Sequence, residues 1–181
     1  VTAGKGIAFV AVTTAVAGMI VGVFELTGLA VTLAQTADQF VVGLMTSLLL
    51  TMIVSLILGM GVPPSVSYIV QVAVTIPMLI GLLKMHGLHP ETAIICAHFF
   101  VMYYASLAVL TPPDALASIA AAGIAKSPVM KTAIYATRVA FVAFVVPFLF
   151  VLRPGLLLQA DLSRVLIDFS VAIVAVFCTS V

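Results

Sequence analysis

The chain has 181 residues, of which 64% are hydrophobic and only 7% charged, with a formal net charge of +1 and a mean hydropathy of +1.38. A soluble domain carries about a quarter charged residues, so this composition belongs to an integral membrane protein with the lipid bilayer as its solvent. The small net charge and the lack of any basic run exclude nucleic acid as a partner.

At roughly 20 residues per crossing there is room for about six membrane elements. The chain opens on Val1 rather than Met and has Lys5 just before its first apolar segment, which points to a fragment of a longer polypeptide. Residues 7–34 read as a transmembrane helix and its connection, with Ala17, Gly18 and Gly22 small enough to let helices approach closely. Glu25 is either a carboxylate at the helix end or a functional membrane acid. Gln35 to Gln39 form a polar interfacial loop.

Residues 41–83 carry no charge, and in their middle lies Leu58-Gly59-Met60-Gly61-Val62-Pro63-Pro64-Ser65. Gly59 and Gly61 add backbone freedom while Pro63 and Pro64 remove donors and clash with the preceding turn, so no regular helix runs through. Each half is about as long as a minimal span, which allows two crossings. The other parse is a re-entrant hairpin with its tip at 59–65, and the uncharged connection favours it. Pro77 predicts a kinked or shortened returning arm.

Lys84 to Glu91 read as a polar loop, with Pro90 and Glu91 suited to the first turn of the next helix. His86 and His89 have a metal-compatible spacing, but no further ligands cluster with them and a solvated loop is the plainer reading. Residues 91–125 then form one discontinuous crossing helix broken at 111–113, that is, at Thr111-Pro112-Pro113. His98, Tyr103, Tyr104 and Ser106 are candidates for lining a cavity, because polar side chains at membrane depth avoid lipid. Asp114 either caps the second half-helix or ligates a cation. Paired breaks of this kind mark transporter binding sites, where unwound carbonyls hold cations and half-helix N-termini face anions.

Lys126 and Lys131, with no acid between them, belong on the cytoplasmic side. Residues 132–152 read as a transmembrane helix containing Arg138 and Pro147, and residues 165–181 as a last one, with Asp168 near its entrance. Arg153, Asp161 and Arg164 mark the opposite surface. This sidedness makes the hairpin dip in from the outer face. Cys96 and Cys178 read as packing residues.

The run Ser55 to Pro63, the later Ala97-His98-Phe99-Phe100-Val101-Met102-Tyr103-Tyr104, Thr111-Pro112-Pro113 and Ala120 to Ala125 closely resemble the large membrane (permease) subunit of tripartite ATP-independent periplasmic (TRAP) transporters, in the fused small/large subunit form. The resemblance covers about Ala17 to Leu158. It implies an all-α membrane protein, one inverted repeat of an elevator-type secondary transporter with a re-entrant helical hairpin and a discontinuous transmembrane helix. It also implies multi-pass insertion in a prokaryotic inner membrane. Na⁺ would be the coupling ion, a periplasmic substrate-binding protein would deliver an organic anion, often a carboxylate, and the rest of the permease, including the other repeat, would complete the site.

Gly59, Gly61, Ser65, Thr111 and Asp114 are then the expected cation and substrate residues, with Pro63, Pro64, Pro112 and Pro113 holding the breaks open. The chain departs from the family where Pro64-Ser65 replaces a common Thr-Thr, and where Val109 occupies a position often held by Asp while Asp114 follows the break. Alternatives are an ion antiporter of related broken-helix architecture or a non-transporting structural membrane subunit. An enzyme is disfavoured, since no paired-carboxylate metal motif, Ser/His/Asp set or phosphate loop is present.

Overall fold

The computed structural model describes residues 43–60, 62–113 and 115–180, with scattered positions between residues 11 and 28. The expected first helix with Glu25 lies largely outside the described residues, as do Gly61 and Asp114. Among the described residues every regular element is helical, and the protein is an all-α membrane protein.

Helix α1, Leu44–Gly59, is 16 residues long and stops where Met60 turns extended. Helix α2, Pro64–Met85, begins with Pro64 in its first turn, where the missing N–H costs nothing, and runs 22 residues. Pro77 lies inside α2 without ending it, so the returning arm is not shortened. Neighbouring helices re-satisfy the freed carbonyl of such prolines in membrane proteins. Helix α3, Pro90–Leu107, likewise opens on proline with Glu91 in its first turn, and tightens into a 3-10 turn at Ala108–Leu110. A cis Pro112-Pro113 peptide and a left-handed Ala115 separate that turn from α4, Leu116–Ala125.

The expected span 132–152 is divided. Helix α5, Val129–Val139, and helix α6, Phe141–Leu152, meet at Ala140 with a bend of 41°. The bend is not at Pro147, which stays within α6. The two helices have different partners: α5 packs on α4 and α6 on α3, so the chain changes direction between them. A 3-10 turn at Pro154–Leu157 leads to α7, Leu162–Ser180.

Two helical stretches, Pro64–Met85 and Pro90–Leu110, are long and apolar enough to cross a membrane, and the bent pair α5–α6 makes a third when counted together. The core lies where α1, α2, α3 and α6 meet, around Leu48, Leu79, Phe100 and Tyr104. Phe100 packs edge-on against Tyr104 and Phe148, with ring centroids 4.9 and 5.5 Å away. Such pairs add about 0.5–1.5 kcal/mol beyond burial. Cys96 is a buried free thiol with Sγ 3.4 Å from the Phe150 carbonyl, and Cys178 is free and exposed. Ile124 and Val139, 87% and 85% exposed, belong to an apolar outer surface that suits lipid or further membrane helices.

Candidate functional site

The two breaks in the chain lie against each other. Gly59, the last residue of α1, is buried against the turn that ends α3. A Cβ at this position would stand 2.5 Å from Ala108 Cβ, 3.3 Å from Ser67 Oγ and 3.6 Å from the Ala105 carbonyl oxygen. Only glycine permits this approach. The C-terminal ends of α1 and of α3 with its 3-10 turn therefore meet, and each brings the negative end of a helix dipole. The N-termini of α2 and α4 follow directly in the chain, bringing positive ends. One junction thus offers a cation and an anion adjoining surroundings.

Thr111 sits at the second break. Its hydroxyl donates to the Leu107 carbonyl at 2.9 Å and its N–H to the Ala108 carbonyl at 3.1 Å. A hydroxyl that donates backwards keeps its lone pairs for another ligand. From α5, Thr137 Oγ1 lies 3.3 Å from the Leu110 carbonyl, propping the turn from the other side. Pro63 is extended immediately before α2, while Pro112 and Pro113 form the turn after Thr111. Ser65 is exposed on the first turn of α2, and the serine turned inward is Ser67.

The residues expected to line a cavity divide. His98 is half-buried and its Nδ1 is 2.7 Å from the Tyr68 hydroxyl, which ties α3 to α2. Tyr103 is half-buried with its ring edge-on to Phe150, at 5.7 Å between centroids. Ser106 is exposed and donates to the Met102 carbonyl of its own helix at 2.9 Å. Tyr104 is fully buried in the apolar core, and its hydroxyl donates to the Phe144 carbonyl at 2.6 Å. Tyr104→Phe is therefore expected to lower the thermal stability of the permease by about 1 kcal/mol through the loss of one hydrogen bond, with the uptake rate unchanged. A large loss of uptake at unchanged stability would instead put Tyr104 in the transport path.

Sequence reasoning passed over the most polar part of the interior. Ser47, Thr51, Ser55 and Gly59 recur every fourth residue along α1, and Ser67, Gln71 and Thr75 do the same along α2, so each set forms one stripe. All seven are buried, and the stripes face each other. Gln71 Nε2 donates to Ser67 Oγ at 2.9 Å and lies 3.4 Å from the Ser55 carbonyl, while Ser67 Oγ lies 3.4 Å from the Leu58 carbonyl. Ser55 Oγ, Gln71 Oε1 and Thr75 Oγ1 have no partner within the protein. Each such orphan costs roughly 1–3 kcal/mol if nothing meets it. The spacing was the available signal; the pairing across two helices was not.

Among the described residues no three His, Cys, Asp or Glu side chains gather as a metal group. His86 instead bonds the Leu82 carbonyl of its own helix, at 2.8 Å from Nδ1.

Comparison with known proteins adds one finding. Residues 1–164 match the family described as DctM: Tripartite ATP-independent periplasmic transporter, DctM component. No curated protein and no solved structure matches the chain. The match spans nearly the whole sequence, both breaks and all the helices up to the start of α7. The chain belongs to the DctM family, the large membrane component of TRAP transporters.

Proposed function

We propose that this permease component couples inward Na⁺ movement to the uptake of an organic anion, a carboxylate, handed over by a periplasmic binding protein at a prokaryotic inner membrane. One observation carries the reading: two interrupted membrane segments touch at Gly59 and Ala108. Two helix C-termini meeting in a membrane interior favour a cation, and hard cations prefer oxygen ligands. The carbonyls around Gly59 and Gly61 and the Thr111 hydroxyl supply those ligands, with the Asp114 carboxylate following the break. Ser65, exposed at the tip, faces the substrate side.

On this reading α1 and α2 are the arms of a re-entrant hairpin entering from the outer face. The 16-residue length of α1 supports it, since at about 24 Å it falls short of a full crossing. Helix α3, its 3-10 turn and α4 are the discontinuous helix. The other inverted repeat, elsewhere in the permease, completes the anion site, and the activity is transport rather than catalysis.

The test uses the full-length permease in proteoliposomes with its binding protein and an imposed Na⁺ gradient. Uptake is expected to require both Na⁺ and the loaded binding protein. Asp114→Ala and Ser65→Ala are expected to weaken uptake at limiting Na⁺ without preventing insertion. Substrate-independent exchange of ions in the same vesicles would instead identify an antiporter.

A further inference from the structure

We infer that the seam between α1 and α2 is a second cation site, separate from the hairpin tip and built to take one dehydrated monovalent cation such as Na⁺. The inference rests on the Na⁺-coupled reading above for its role, but on the seam's own geometry for its existence. Three oxygens define it: Ser55 Oγ on α1, and Gln71 Oε1 and Thr75 Oγ1 on α2. All three residues are at most 1% exposed, and none of the three atoms has a hydrogen-bond partner within the protein.

The orientation of Gln71 follows from its neighbours. Its Nε2 group is engaged by Ser67 Oγ and the Ser55 carbonyl, and the Ser67 hydroxyl itself points at the Leu58 carbonyl. With both N–H bonds directed to acceptors, the amide oxygen is the free end. Thr51 and Ser47, one and two turns away on α1, send their hydroxyl protons to the carbonyls four residues back, at 2.8 and 3.0 Å. Ser55 and Thr75 make no such bond, so the lone pairs of both hydroxyls are uncommitted and available to a cation in the seam. Two contacts set the register of the arms, Gly59 against Ser67 and Ser55 against Gln71. One helical turn farther, that register brings Thr51 level with Thr75.

The donor set selects the ligand. It contains no nitrogen or sulfur, so transition metals are not favoured, and it contains no carboxylate, which Ca²⁺ and Mg²⁺ sites recruit. Neutral hydroxyl and amide oxygens in a seam without acid or base suit a single positive charge. A cation there would bridge the two arms and make their closure depend on its presence. The tip site and the seam site would then fill in the same step that stiffens the hairpin.

The experiment measures ²²Na⁺ binding to purified full-length permease alongside uptake in proteoliposomes, for wild type, Ser55→Ala, Thr75→Val and Gln71→Met. Thr75→Val keeps the side-chain shape and Ser55→Ala is the better helix former, so these two remain informative if Gln71→Met loosens the arms. Each folded variant is expected to lose about one equivalent of bound Na⁺ and to raise the Na⁺ concentration for half-maximal uptake by roughly tenfold, as the removal of one ligand from a small cage would. Wild-type Na⁺ binding in Ser55→Ala and Thr75→Val overturns the seam site, and means that water alone meets these oxygens. Uptake indifferent to Na⁺ in the wild type, with bound Na⁺ still lost in the variants, would sink the coupling reading and leave the seam site standing.

Discussion

Gly59→Ala is expected to cut uptake by about tenfold or more while the permease still inserts, because misplacing binding groups by about 1 Å can cost up to a hundredfold. The added Cβ would lie 2.5 Å from Ala108 Cβ, whereas carbon atoms rest about 3.5–4.0 Å apart. Neither carbon can rotate away, since the backbone fixes both. The end of α1 and the 3-10 turn must therefore separate, and with them the two helix C-termini proposed to hold the cation. Overpacking of this kind costs roughly 1–3 kcal/mol in stability, too little to unfold a membrane domain outright. The second substitution isolates the cause. Ala108→Gly removes the opposing methyl, so Gly59→Ala with Ala108→Gly is expected to recover most of the uptake, short of wild type because Ser67 Oγ remains 3.3 Å from the new Cβ. The measurement is initial uptake rate normalised to permease in the vesicle membrane. A double variant as impaired as Gly59→Ala alone would show that crowding against Ala108 is not what matters at this position.

That junction was legible in the sequence as two separate events, not as one place. Gly59, Pro63 and Pro64 end one helix and start the next for reasons internal to the backbone, and α1 and α2 do stop and begin there. Thr111-Pro112-Pro113 likewise ends the 3-10 turn after α3. The small size of Ala108, which lets Gly59 approach, carries no signal in a chain so rich in alanine. The polar stripes were half visible. Four-residue spacing puts Ser47, Thr51, Ser55 and Gly59 on one face, but whether that face meets solvent, lipid or another stripe depends on packing across the hairpin. The bend at Ala140 had no local mark at all, since no glycine or proline stands there. Its cause is tertiary, the separate docking of α5 on α4 and α6 on α3.

Asp168→Ala is expected to destabilise the permease by about 2–3 kcal/mol, the cost of removing a charged acceptor and leaving a buried donor unmet. Asp168 was visible as an acid at the start of a membrane helix, but its partners lie in the preceding corner. Asp168 is 4% exposed on α7; its Oδ1 lies 3.2 Å from Arg153 Nη1 and Oδ2 accepts the Gly155 N–H at 3.2 Å. It thus ties the end of α6, the following 3-10 turn and α7 together. The Arg153 side chain is 48% exposed and keeps part of its hydration, so the ion pair itself contributes less than a fully buried one. The bond to the backbone is the larger share. Asp168→Asn keeps a carbonyl oxygen for the Gly155 N–H and is expected to cost only about 1 kcal/mol. Arg153→Ala should lie between the two, because water can approach the side of the carboxylate that Arg153 leaves. Gly155→Ala attacks the same bond from the other side. Its Cβ would run into the Asp168 carboxylate, so it is expected to match Asp168→Ala despite removing no polar group. Thermal unfolding of the detergent-solubilised full-length variants ranks the four. If Asp168→Asn proves as damaging as Asp168→Ala, the charge on Arg153 rather than the Gly155 amide holds the corner.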